Sequence, residues 1–212
     1  MSWFKKLSVL LFIILLGVMG YLIWMTDQSM PFNSEYATAQ RQLSSAPTGG
    51  DFTLNSQQGA VSLSQFRHQW VLIYFGYTFC PDICPTNLGN LSLAYRRLSE
   101  AQQQQVQILF ISVDPDRDTP AQLAEYVNFF NSDMIGLTGN KADLDDITQR
   151  YGVVYALHKT PENSQNYSVD HSAFTYLVNP KGELVKQLPH GTNPRQFQQA
   201  IEQALKSSVP VQ

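Results

Sequence analysis

Cys80 and Cys84 are the only cysteines among 212 residues, and they stand four positions apart in Gly76-Tyr77-Thr78-Phe79-Cys80-Pro81-Asp82-Ile83-Cys84-Pro85. The pair directly follows an apolar run, residues 70–75, that reads as a buried strand. A strand ending in a cysteine pair that opens a helix is a thiol site on an α/β scaffold. Residues i and i+4 share a helix face about 5–6 Å apart. Their Cα separation then falls within the roughly 4.4–6.8 Å a disulfide accepts, and two sulfurs so placed can also grip one ion. The positive N-terminal end of the helix favours thiolate, while Pro81 and Pro85 restrict the backbone beside each sulfur. As a structural staple the pair would do little: closing about five residues gives roughly 2 kcal/mol, against about 4.7 for a hundred-residue loop. Three intervening residues, rather than two, shift the reading from disulfide exchange toward metal.

Two thiolates are an incomplete site for most metals, so the four histidines matter. His171 lies just before a predicted strand at residues 173–178. In thioredoxin-type folds the loop entering that strand faces the active cysteines, and typical members place a cis-proline there. This chain has no proline between Pro161 and Pro180, and His171 is the natural third ligand. His68 and His190 flank turns, and His158 ends a strand in polar surroundings; all three read as solvated. In Asp114-Pro115-Asp116-Arg117-Asp118-Thr119-Pro120, helix capping accounts for Asp118 and Thr119. It does not account for Asp114, which is a candidate weak ligand, a partner behind the ligands, or a regulator of thiol acidity. Soft thiolates with one imidazole suit Cu(I) in a three-coordinate site and also take Cu(II). Structural zinc normally demands four protein ligands, so copper is preferred.

The elements that must position these groups alternate. A hairpin is expected from residues 51–54 and 59–63, with Gln57-Gln58-Gly59 at its turn. A central strand (70–75), a helix from about Cys84 to Glu100 and a second buried strand (106–113) follow. Thr119, Pro120 and Gln122 mark the start of a helix over 119–130, through a cap, a first-turn proline and a capping box. A short strand (134–138), a helix (141–151), strands at 153–158 and 173–178, a turn at Asn179-Pro180-Lys181-Gly182 into residues 183–187, and a helix from Pro194 to about Lys206 complete the chain. Early strand–helix alternation implies parallel pairing and the late hairpin is antiparallel. The mixture predicts an α/β, thioredoxin-like fold: a mixed central sheet flanked by helices. Ligand chemistry in such sheets gathers at the carboxyl ends of strands, where Cys80 and Asp114 both fall, on strands expected to be neighbours.

Residues 7–25 are uncharged and mainly apolar, and nineteen residues are just long enough for a bilayer core of about 30 Å. Tyr21, Trp24 and Met25 stand where a cleaved signal peptide would need small residues. Lys5 and Lys6 precede the run and Asp27 follows it, which puts the N-terminus (1–6) in the cytoplasm and the bulk outside. The expected layout is a transmembrane anchor (7–25), a polar tether (26–48), a globular domain (49–208) and a short tail (209–212). A bacterial inner membrane with the domain in the periplasm is the simplest setting, and disulfides persist there. The net charge of −3 gives no argument for nucleic-acid binding.

With these motifs assembled in order behind a single anchor, residues 49–206 resemble the Sco/SenC family of copper proteins. The resemblance rests on the 76–85 and 114–120 segments quoted above and on Asp170-His171-Ser172. It implies a thioredoxin-like fold and a role in assembling the dinuclear copper centre of cytochrome c oxidase subunit II. It also implies Cys80, Cys84 and His171 as copper ligands. A membrane-anchored metallochaperone, fed by a periplasmic copper donor, is then the first functional expectation. The second is a thiol–disulfide oxidoreductase that reduces the target's cysteines, with Cys80 attacking and Cys84 resolving. Thr78 stands two places before Cys80, not the three of the usual peroxiredoxin pattern, which disfavours a peroxidase.

Overall fold

The computed structural model describes residues 3, 15–21, 47–130, 132–163 and 166–207, in two compact units, Met1–Ser45 and Ala46–Gln212. In the first unit residues 15–21 are helical. The rest of the expected anchor, the tether as far as residue 46 and the tail at 209–212 lie outside the described residues. Among the described residues no helix is long and apolar enough to cross a membrane.

The second unit begins with a hairpin, β1 (Thr53–Ser56) and β2 (Gly59–Ser62). Then come β3 (Trp70–Gly76), α1 (Ile83–Arg96), α2 (Glu100–Gln103), β4 (Val106–Ser112), α3 (Pro120–Asn128) and β5 (Ile135–Leu137). The last part holds α4 (Lys141–Tyr151), β6 (Tyr155–Leu157), β7 (Val169–His171), β8 (Thr175–Val178), β9 (Leu184–Leu188) and α5 (Pro194–Ser207). The main sheet runs β5-β4-β3-β8-β9. β3, β4 and β5 are parallel, and β8 and β9 are antiparallel to their neighbours, the mixture the element order predicts.

Every side chain of β3 is buried, which fits its unbroken apolar run: a strand covered on both faces has no solvent side to make polar. Phe75 on one face meets Tyr151 of α4 (5.8 Å between ring centroids) and Tyr176 of β8 (5.5 Å). Tyr74 on the other face stacks on Phe110, which meets Tyr126 of α3. Burying each such side chain contributes roughly 1.5–3 kcal/mol. Helices thus close both faces of the sheet, as in a thioredoxin-like α/β fold.

Local signals set most boundaries. Thr119 accepts from Gln122 N–H while the Gln122 side chain accepts from Thr119 N–H, so both halves of the capping box close on α3. Asn140 caps α4, and Gly152 ends it in the left-handed region at φ 68°. The expected helix from Cys84 to Glu100 is instead two. α1 stops at Arg96, and Ser99 with Gln102 forms a second capping box that starts α2. A cap residue needs extended backbone, and Ser99 adopts it (ψ 157°), so a continuous helix is excluded there. The segment carrying His171 also differs from expectation. It is not a loop before a strand but a strand itself, β7, paired with β6 in a separate two-stranded sheet.

Candidate metal centre

β3 and β4 pair in parallel with Gly76 opposite Ser112, so the chain segments holding Cys80 and Asp114 leave the sheet side by side. Val113 N–H bonds Gly76 C=O at 2.8 Å and continues the ladder past the strand ends. Beyond it the 77–80 turn is held by a carboxylate. Asp118 accepts from Thr78 N–H (2.9 Å), Thr78 Oγ1 (2.5 Å) and Ser112 Oγ (2.5 Å). The capping role expected of Asp118 is therefore wrong: Thr119 alone caps α3, and the fully buried Asp118 pins the cysteine turn. Burial pushes its carboxyl pKa up, against the pull of the Ser112 and Thr78 hydrogen bonds.

Cys84 enters the first turn of α1 and is fully buried. α1 has no side-chain oxygen capping it. Instead Cys84 N–H donates to Cys80 Sγ at 3.4 Å. Gly76 makes room, since a Cβ there would lie 2.7 Å from Cys84 Sγ. Asn87 Nδ2 donates to Thr175 Oγ1 at 3.0 Å inside the core and locks α1 to β8, just beyond the histidine hairpin.

His171 Nε2 lies 3.2 Å from Cys84 Sγ, and its Nδ1 lies 3.3 Å from Ser172 C=O. Tyr74 and Tyr77 stand edge-on to the imidazole, at 6.1 and 5.9 Å. The ligand atoms of Cys80, Cys84 and His171 all lie within 4.8 Å of one another, and among the described residues they are the one group of three or more such side chains able to hold a metal ion. Both cysteines are free thiols.

The two thiols are unequal. The Cys84 S–H bond, the N–H groups of Cys84 and Asp82, and His171 together bring the Cys80 pKa down to about 4, against the opposing effect of burial. The same bond to Cys80, with burial, drives Cys84 strongly upward. The pair therefore keeps one proton at neutral pH, with thiolate at Cys80 and thiol at Cys84. Burial and the adjoining Cys84 also push Tyr74 well above the ordinary phenol range, so it stays neutral beside the sulfurs. One thiolate, one thiol and an imidazole can hold a soft cation or exchange a disulfide.

The other candidates lie elsewhere. Asp114 is not in the ligand group: Arg117 Nε donates to its Oδ2 (2.6 Å) and Tyr167 OH to its Oδ1 (2.5 Å). His158 pairs with Asp170 at 2.7 Å on the exposed side of the hairpin, and neither His68 nor His190 joins the ligand group. Sequence reasoning missed Tyr77, Arg117 and Tyr167, whose partners come from distant segments and leave no local pattern.

Comparison with known proteins gives a consistent picture. The family model described as SCO1/SenC matches residues 40–206. An SCO2-like protein of Rickettsia prowazekii is 35% identical over 185 residues, covering 86% of this chain and 87% of the relative. Yeast Sco1 with copper bound superposes with a TM-score of 0.69 at 35% identity, covering 78% of this chain and 92% of that one. BsSco is described as having a disulfide switch and as a member of the Sco family of cytochrome c oxidase assembly proteins. It matches at a TM-score of 0.58 and 27% identity, over 76% of this chain and 93% of its own.

Proposed function

The chain belongs to the SCO1/SenC family, and from that premise we propose that it is a copper metallochaperone using Cys80, Cys84 and His171. The observation that carries the reading is the convergence of those three ligand atoms within 4.8 Å. The donor set fits the cargo. Two soft sulfurs select copper, the imidazole lets the site also serve Cu(II), and a structural zinc would want a fourth protein ligand. Copper bound to yeast Sco1, a structural relative, supports the same choice.

Cys80 is already a thiolate and meets the ion first. Cys84 gives up its proton as it ligates, and His171 closes the third side. Transfer proceeds by stepwise exchange, an incoming ligand replacing one of the three at a time. The target is the dinuclear copper centre of cytochrome c oxidase subunit II, a reading supported by the description of BsSco as an oxidase assembly protein. Residues 7–25 anchor the chain in a bacterial inner membrane with the copper domain in the periplasm, supported by the apolar run and the Lys5-Lys6 charge bias.

A second reading has its own support: the unequal thiol pair is the arrangement a dithiol reductant needs. Cys80 thiolate would attack a target disulfide, and Cys84 thiol would then break the mixed disulfide, leaving the target as dithiol and this chain oxidised. Copper titration of the full chain in detergent, followed by thiolate-to-copper charge-transfer absorption, tests the first reading. His171→Ala should lose Cu(II) affinity severely and Cu(I) affinity far less, and keep dithiol exchange. Equal Cu(II) affinity in that variant would overturn the three-ligand site. Copper-free reduction of an oxidised target peptide by the reduced chain would favour the second reading.

A further inference from the structure

β7 carries His171 but is not hydrogen-bonded into the main sheet; it pairs only with β6 in its two-stranded sheet. The chain ties β7 to the main sheet at one end, where β8 begins at Thr175; at its other end the hold comes from side-chain contacts, and several of these meet at Arg117. Its guanidinium carbon sits 3.6 Å from the Tyr167 ring centroid and 4.7 Å from that of Phe79, with Tyr77 at 5.7 Å. Nη1 donates to Tyr167 C=O at 2.9 Å, and Nε donates to Asp114 Oδ2 at 2.6 Å. The side chain is only 9% exposed and Asp114's is fully buried. Nη2 is buried with no hydrogen-bond partner, so the ring faces carry much of the hold on the cation.

Each contact joins a different segment. Phe79 is the neighbour of Cys80, and Tyr167 lies two residues before β7, the strand that ends in His171. Asp114 leaves β4 and also accepts from Tyr167 OH at 2.5 Å. Tyr77 makes the same connection separately: its hydroxyl accepts from Val169 N–H at 3.4 Å while its ring stands against His171. A flat cation gripped by rings from two segments and a carboxylate from a third fixes their mutual distance, which a flexible ammonium does not do.

We propose that Arg117 is a positioning residue that clamps the β6–β7 hairpin to the cysteine turn and so holds His171 within reach of Cys80 and Cys84. This rests on the reading of the three residues as a copper site. Without the clamp the site becomes a dithiol, which still satisfies Cu(I) but lacks the nitrogen that Cu(II) prefers. Asp114 then acts on the metal only through Arg117 and Tyr167.

The test uses the full chain in detergent and has two arms. In the copper-free arm, amide hydrogen exchange is followed in the parent and in Arg117→Met and Arg117→Lys. Residues 167–172 should exchange faster in both variants, with α1 unchanged. Unchanged protection of 167–172 would overturn the proposal whatever copper does. In the copper arm, Arg117→Met should weaken Cu(II) by about 10–100-fold, the usual effect of losing a residue behind a ligand, and weaken Cu(I) far less. It should add nothing to His171→Ala, because a clamp with no histidine to place has no further effect. Additive losses would mark Arg117 as merely structural and overturn the clamp. If Arg117→Met does not fold, Tyr167→Leu removes the closest ring, leaves the Arg117–Asp114 pair and must show the same pattern. A parent that takes no copper would sink the copper reading, while the exchange arm still decides the clamp.

Discussion

Cys80 Sγ stands where a capping oxygen would stand, receiving the N–H of Cys84 at 3.4 Å at the start of α1. An unpaired N–H at a helix start is costly to bury, so the fold itself asks for an anion at this sulfur. The first prediction concerns acidity. The Cys80 pKa is about 4, so its alkylation by iodoacetamide should be nearly flat from about pH 8 down to pH 5.5, where an ordinary thiol at roughly 8.5 is almost wholly protonated. The rate should fall only near pH 4. The linkage has the same sign: the folded state favours thiolate, so this stabilisation is full above the unfolded thiol value and is lost as pH falls through about 4. Mass-mapped alkylation checks it, and a Cys80 rate that climbs tenfold per unit from pH 6 to 8 would contradict it.

The second prediction concerns Gly76, the last residue of β3. A methyl there would meet Cys84 Sγ at 2.7 Å, Phe110 Cε2 at 3.0 Å and Tyr74 Cε1 at 3.3 Å, all on buried side chains. None can retreat without disturbing the core. Gly76→Ala should cost about 1–3 kcal/mol, or several degrees in Tm, and should weaken copper binding by shifting Cys84 relative to His171. Thermal unfolding and copper titration read the two effects. A variant matching the parent in both would show that the sulfur has more room than the structure gives it.

The third prediction concerns Asp118. Asp118→Ala removes the acceptor shared by Thr78 N–H, Thr78 Oγ1 and Ser112 Oγ. Leaving buried donors unmet costs about 1–3 kcal/mol, and the cysteine turn should loosen. Asp118→Asn keeps one carbonyl oxygen and the shape, so it should recover part of the loss. Denaturant unfolding with equal slopes tests the order parent, Asn, Ala. Equal midpoints for parent and Ala would mean that the carboxylate does not hold the turn.

What could be read from the chain and what could not divide along a physical line. The thiol pair, the strand before it and the cap of α3 are encoded within a few neighbouring residues, and spacing alone exposes them. Cys80 and Asp114 at adjacent strand ends follow from strand–helix alternation. β7 escaped because three residues carry no periodicity, and its partner β6 lies more than ten residues away. The break at Ser99 was written in its own capping box but hidden in a run of good helix formers. Asp118 was misread because its bonds reach back 40 residues to Thr78, and Arg117 went unread because Tyr167 is 50 residues ahead. Contacts of that range leave no local trace, and they fix the geometry of the metal group.

The last prediction follows the proton held by the pair. Cys80 is ionised at neutral pH and Cys84 is not, so loading copper on both sulfurs must expel the Cys84 proton and no other thiol proton. Metal binding that displaces one proton weakens about tenfold for each unit of falling pH. A weakly buffered chain at about pH 8 should release one thiol proton per copper ion bound, as read by a pH indicator. Cys84→Ser takes away the thiol proton, so release should collapse along with affinity. Two protons per ion in the parent would mean that both thiols start protonated, and the Cys84 S–H and the nearby N–H groups would then not be holding Cys80 as thiolate.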